Sequence, residues 1–113
     1  RWYRVEFYLP MLPGVGVLKL DFNGGTVTAT DISGVGFALN NDDGTIVGVN
    51  VTALTNVVEG AGVDGTIWRL SGSFTIQVST GGTLIPRFAQ QTTDASASTL
   101  LKYSTMQAVD ITP

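Results

Sequence analysis

From Ile67 to Ser79 the chain alternates strictly. Trp68, Leu70, Gly72, Phe74, Ile76 and Val78 share one parity, and Arg69, Ser71, Ser73, Thr75, Gln77 and Ser79 share the other. This is the two-residue period of a strand with one apolar face. It ends at Thr80-Gly81-Gly82-Thr83, where two glycines suit the positive φ of a tight turn, and resumes as Leu84-Ile85-Pro86-Arg87-Phe88-Ala89-Gln90, so a hairpin is predicted there. At the start of the chain Tyr3, Val5, Phe7 and Leu9 oppose Trp2, Arg4, Glu6 and Tyr8, a first strand that Pro10 and Pro13-Gly14 should break. Leu18, Leu20 and Phe22 form a second strand against Lys19 and Asp21, followed by the hairpin signal Asn23-Gly24-Gly25.

Val27, Ala29 and Asp31 alternate with Thr26, Thr28 and Thr30 in a third strand. Gly34 then interrupts, Val35, Phe37 and Leu39 make a fourth, and Asn40-Asn41-Asp42-Asp43-Gly44 is a turn. Val47, Val49 and Val51 give a fifth, with 54–58 either extending it or opening a loop, and the glycine-rich stretch 59–65 reads as an exposed loop. The long strand, its hairpin partner and a final strand running to Ile111 complete eight. Close glycine turns and no amphipathic helix make this an all-β sandwich or barrel of a single domain, residues 1–113.

Composition narrows the function. The chain has no cysteine and no histidine, which removes disulfides, thiolate zinc sites and the usual general base. Charged residues are 13% and apolar residues 43%, against a usual charged share of about 25%. No apolar run approaches the roughly 20 residues that span a bilayer, so the excess apolar surface is better assigned to contacts between subunits than to membrane insertion. The net charge of −3, with six scattered basic residues, offers no footprint for nucleic acid.

Candidate chemistry is thin. Asp42-Asp43-Gly44 resembles a calcium loop only superficially, because counting back from Gly44 puts Leu39 at the first ligand position and Asn50 at the twelfth. Its asparagines and aspartates fit a turn, where they hydrogen-bond their own backbone. Adjacent carboxylates in a turn do not face each other across a glycosidic bond. Asp21 with Asp31 and Glu59 with Asp64 are left as pairs whose proximity only a fold can decide. Ser71, Ser73, Ser79 and Ser104 are nucleophiles by type, with only Lys19 or Lys102 available to activate them. Neither Gly14-Val15-Gly16 nor Gly34-Val35-Gly36 precedes a helix, so neither is a phosphate loop. No catalytic residue, cofactor or metal ligand is assigned. Trp68 shares the parity of Leu70 and Phe74 and is expected in the core. Trp2 and Tyr8, on the mixed face of the first strand, suit a subunit contact or a stacked sugar ring.

The C-terminal forty-five residues carry a pattern. The long strand ends in a glycine turn, then come Leu84-x-x-x-Phe88-Ala89-Gln90-x-Thr92, a Ser/Thr/Ala-rich loop, and Tyr103-Ser104-x-Met106. This resembles the trimeric jelly-roll modules of tailed-phage virion proteins, similar in fold to tumour-necrosis-factor and complement globular heads. The resemblance implies an eight-stranded antiparallel jelly-roll sandwich in a homotrimer, with first and last strands side by side and the outer face of their sheet on the threefold axis. On that reading Trp2, Tyr8, Arg69, Thr75, Gln77, Tyr103 and Gln107 are trimer-interface candidates. Some proteins of the broader fold bind calcium near that axis, but no motif here carries their ligands over.

The expected function is a structural and binding module on the virion surface, not an enzyme. It would be the fibre tip that meets host glycan or protein, the C-terminal head of a longer chain, or a capsid decoration protein of the same fold held by other virion proteins. The abrupt strand at Arg1 favours the fibre. A monomeric carbohydrate-binding β-sandwich is the alternative from a different class, and a small hydrolase ranks last. Specificity is expected in the loops 40–45, 59–66 and 91–99.

Overall fold

In the computed structural model, which describes residues 1–12, 18–59, 67–90 and 99–113, the two strongest alternating stretches lie side by side. β1 (Trp2–Leu12) and β6 (Trp68–Thr80) pair antiparallel from Trp2↔Gln77 to Met11↔Trp68. The register sets the odd residues of β1 and the even residues of β6 on one face, where Val5, Phe7, Leu9, Met11, Trp68, Leu70, Phe74 and Ile76 are buried. β3 (Thr28–Asn40) flanks β6 and is followed by β4 (Ile46–Val51). On the other side, β8 (Thr99–Leu100) and β9 (Thr105–Asp110) pair with β1. These six strands form the large sheet. A small sheet, β5 (Val58–Glu59), β2 (Leu18–Asp21) and β7 (Arg87–Gln90) in that spatial order, brings Leu20 and Val58 to the core. Both sheets are antiparallel, and no helix occurs among the described residues.

The two layers are joined through Phe22, just past β2. Its ring meets Phe7 and Phe74 edge to face, with centroids 4.9 and 5.0 Å away. Room for these rings comes from glycine. Gly36 lies opposite Gly72 across β3 and β6, and a Cβ at Gly36 would sit 2.5 Å from Val58 Cγ2. The inward parity of β3 thus runs Ile32, Gly34, Gly36 and Ala38, and beyond Ile32 the larger residues Val35, Phe37 and Leu39 turn outward.

The two predicted glycine hairpins are not hairpins. β6 belongs to the large sheet and β7 to the small one, and likewise β3 and β2, so 81–85 and 23–27 each carry the chain from one sheet to the other. They run alongside each other. Thr26 and Val27 N–H donate to Thr83 O at 2.9 and 3.0 Å, Thr83 N–H donates to Thr26 Oγ1 at 3.1 Å, and Gly24 N–H to Ile85 O at 3.0 Å. None of Gly24, Gly25, Gly81 and Gly82 has positive φ. Gly25 is needed for close approach, since a Cβ there would fall 2.0 Å from Thr83 O.

The strand tally also shifts from the expected eight to nine among the described residues. The third and fourth predicted strands are one, β3, because Gly34 keeps its place opposite Phe74. A register shift between Ala29 and Asp31 leaves Thr30 as an extra residue and changes the parity there. β5 and β8 are two-residue pairings. Between β4 and β5, Asn56 Oδ1 accepts from Thr52 N–H at 2.7 Å and Ala53 N–H at 2.8 Å, holding a turn.

Pro10 does not end β1. Leu101 N–H donates to Pro10 O at 2.9 Å, which pairs residues 10 and 101. The return bond from the nitrogen of residue 10 is the one proline lacks. Leu101 O is satisfied instead by Ser104 Oγ at 2.7 Å. The Pro13-Gly14 break and the loops 59–66 and 91–99 lie wholly or mostly outside the described residues.

The Asn40–Gly44 turn forms as expected, closing the β3–β4 hairpin. Gly44 has φ 73°, Asn40 Oδ1 accepts from Asp42 N–H at 2.9 Å, and Asp43 Oδ1 from Thr45 N–H at 2.9 Å. The bond from Thr45 holds the Asp43 carboxyl below its ordinary range.

Candidate functional site

With one parity of β1, β3 and β6 turned to the core, the other parity, continued by β9, forms the outer face of the large sheet. Register places its rows directly. Trp2 lies beside Gln77, Arg4 beside Thr75, Glu6 beside Ser73, Tyr8 beside Ser71 and Pro10 beside Arg69. On the far side of β6, Ser73 meets Val35, Ser71 meets Phe37 and Arg69 meets Leu39. β9 adds Gln107 across from Glu6 and Val109 across from Arg4.

The result is a polar column, Arg69 to Gln77, flanked by apolar residues beside Arg69 and Ser71 and largely by polar or charged ones, Glu6, Arg4, Ser33 and Asp31, from Ser73 to Gln77. Every outward residue of that column is half-buried by its neighbours. On one side stand Val35, Phe37 and Leu39, with Ile46 beyond Leu39 at 62% exposure. On the other stand Pro10 and Tyr8, then the ion-paired Glu6 and Arg4, then Trp2. Tyr8 and Phe37 are each 39% exposed and lie in one cross-strand row with Ser71 between them.

The column's polar groups are partly engaged. Thr75 Oγ1 donates to Ser33 O at 3.2 Å, Thr30 Oγ1 donates to Gln77 Oε1 at 3.2 Å, and Gln107 Nε2 donates to Glu6 Oε2 at 3.2 Å. Arg69 Nη2 donates to Asn41 Oδ1, which ties the β3–β4 turn to this face. All of Trp2, Tyr8, Arg69, Thr75, Gln77 and Gln107 therefore share one surface.

Tyr103 joins them from the β8–β9 turn, lining a shallow depression with Tyr8, Pro10, Arg69 and Leu101. It is 76% exposed and has φ 70°, the one positive φ outside glycine among the described residues. A left-handed conformation costs a non-glycine residue roughly 1–2 kcal/mol. Lys102 Nζ lies 5.3 Å from its ring centroid, within cation–π range. An aromatic side chain held outward at a conformational cost is the kind of residue kept for contact.

Sequence reasoning missed Val35, Phe37, Leu39 and Ile46 as outward residues. Alternation identified the strand but not which parity was inward; the signal was Gly34, Gly36 and Ala38, too small to fill a core by themselves.

Elsewhere the chemistry is structural. Ser79 and Ser104 hydroxyls donate to the carbonyls of Thr28 and Leu101 at 3.1 and 2.7 Å. Asp21 and Asp31 sit on different sheets. Asp21 is held by Arg87 in a two-point pair, Nε to Oδ1 at 2.6 Å and Nη2 to Oδ2 at 2.9 Å. Those bonds lower the Asp21 carboxyl below its ordinary value, outweighing the opposing effect of burial. Trp68 is in the core at 3% exposure, its Nε1 without a hydrogen-bond partner among the described residues. No family model matches the chain, and neither does any curated protein or solved structure.

Proposed function

We propose that this chain is a homotrimeric jelly-roll module on the surface of a tailed-phage virion, acting by binding and not by chemistry, with the outer face of the large sheet against the threefold axis. The observation that carries the trimer is the parity of β3. In its second half Val35, Phe37 and Leu39 point away from the core while Gly34, Gly36 and Ala38 point in, leaving Ile32 as the large apolar residue of β3 on the core side. A strand arranged this way in a sparsely charged chain is accounted for when a second surface covers it. The seven residues derived from the phage-module resemblance line or border the same face, and β1 and β9 pair as first and last strands. An apolar patch of Val35, Phe37 and Leu39 bordered by hydroxyl, amide and charged groups suits a contact with an apolar centre and a polar rim.

The fibre tip is the preferred placement, and a decoration protein of the same fold is the second. Antibodies raised against the folded chain, applied to intact particles of the encoding phage, should label fibre ends. Labelling over the capsid lattice would move the assignment to a decoration protein, and unlabelled particles would sink the virion reading.

A further inference from the structure

β9 is an edge of the large sheet, and among the described residues it pairs with β1 alone. Ile111 N–H donates to Trp2 O at 2.9 Å, which fixes the ladder's phase. The odd residues 105, 107 and 109 then exchange hydrogen bonds with β1, and the N–H and C=O groups of Met106, Ala108 and Asp110 point to the open edge. The register that aligns these three with Phe7, Val5 and Tyr3 puts their side chains on the inner side of the sheet. Only Met106 of this strand is even half-buried.

Beside this edge is a cleft of about 370 Å³ between the sheet's inner face and the 81–84 crossing, walled by Tyr3, Val5, Ile76, Val78, Leu84 and Met106. β9 carries few of the devices that usually block an edge, its inward-facing Asp110 lying at the strand's end. It has no proline or lysine, and its single charge, Asp110, is paired with Arg1.

We infer that the open edge of β9 and the adjoining apolar cleft form a strand-addition site for an extended segment of another protein bearing small or medium apolar residues at alternate positions. A strand laid antiparallel on β9 would hydrogen-bond to Met106, Ala108 and Asp110 through alternate residues, and the side chains of those residues would project to the inner side, towards the cleft. A second copy of this chain fits less well. β9 paired with its own copy aligns Asp110 of one chain with Met106 of the other, bringing a carboxylate to the apolar side. Antiparallel joining to β4 fails by parity: Asn40 N–H donates to Thr45 O at 2.8 Å, so the open-edge groups of β4 belong to Ile46, Gly48 and Asn50, the residues of its outer face. Joined antiparallel, β4 and β9 would set an inner face beside an outer one, and a parallel pair is slightly less stable per residue. The site uses an edge and an inner face, so it does not depend on the trimer reading.

The test is amide exchange on the ¹⁵N-labelled chain, with and without the blocked peptide acetyl-Lys-Thr-Val-Thr-Val-Thr-Val-Lys-amide. Without peptide, the amides of Met106, Ala108 and Asp110 should exchange freely while those of Gln107 and Val109 are protected. Saturating peptide should slow the three exposed amides by about tenfold or more. The same peptide with N-methylated valines should leave them unchanged. Ala108→Pro should melt as the parent does, because residue 108 donates nothing to β1, and should lose about tenfold or more in peptide affinity. Three results would overturn the inference: no response at saturation, equal response to the N-methylated peptide, or peptide-free protection of the three amides in a species whose sedimentation shows β9-mediated pairing of copies. None of these readouts depends on whether the chain is trimeric.

Discussion

The outward turn of β3's apolar residues rests on Gly36 having no side chain, and that can be measured. A Cβ at Gly36 would lie 2.5 Å from Val58 Cγ2 and 3.5 Å from Val58 Cγ1, where carbon atoms prefer about 3.5–4.0 Å. Val58 is 1% exposed and sits on a two-residue strand, so it has to yield by roughly 1 Å. Overpacking of this kind costs about 1–3 kcal/mol, and replacing a strand glycine by alanine returns roughly 0.5–1 kcal/mol. Gly36→Ala should therefore lose about 1–2 kcal/mol. Val58→Ala alone should lose about 2 kcal/mol of burial. In the double variant the new methyl takes the space Val58 vacates, so the loss should stay near 2 kcal/mol, a coupling of about 1–2 kcal/mol. Urea unfolding of the four proteins measures this, with unchanged m-values confirming comparable end states. Losses that add to within about 0.5 kcal/mol would refute the packing argument. Gly72→Ala is the control: its Cβ would lie 2.2 Å from the main-chain oxygen of Val35, so truncating Val58 should not rescue it.

Asp21, held below its ordinary value of 3.8 mainly by its hydrogen bonds to Arg87, contributes stability that is full above that value and is lost as pH falls through its lower folded value. The stability gap between the parent and Asp21→Asn should narrow between about pH 5 and pH 2; a gap constant over that span would contradict the pairing. Ser104→Ala removes the hydroxyl that satisfies Leu101 O, and a thermal or urea melt should show a loss of about 1 kcal/mol. Tyr103→Gly relieves the φ of 70° and should leave monomer stability equal or up to about 1 kcal/mol higher while weakening assembly, so a loss in both would contradict a contact role.

Much of the large sheet was legible in the sequence, because Trp2–Leu9 and Trp68–Ser79 alternate without a break, and two strands of matched parity must share a buried face. That is why Trp68 was expected inside, and why Trp2, Tyr8, Thr75 and Gln77 fall on one surface. The connections were less legible. A Gly-Gly pair has the same spelling whether it supplies positive φ or lets two segments touch, and Thr26 and Thr83, whose bonds decide the matter, are 57 residues apart. Pro10 looked like a strand end because its replacement partner, Ser104, is distant in sequence. Pairings as short as β5 and β8 carry no period at all.

The most direct test of the account is the solution mass of the isolated chain by light scattering, run beside a Tyr8→Ala, Phe37→Ser variant whose folding is checked by circular dichroism. Burial of the outer face on a threefold axis predicts a mass of three times 11.9 kDa for the parent and a folded species of lower mass for the variant. A parent that runs as a single chain, or a variant that keeps the trimer mass, would contradict it, the first favouring a monomeric carbohydrate-binding sandwich and the second placing the contact elsewhere.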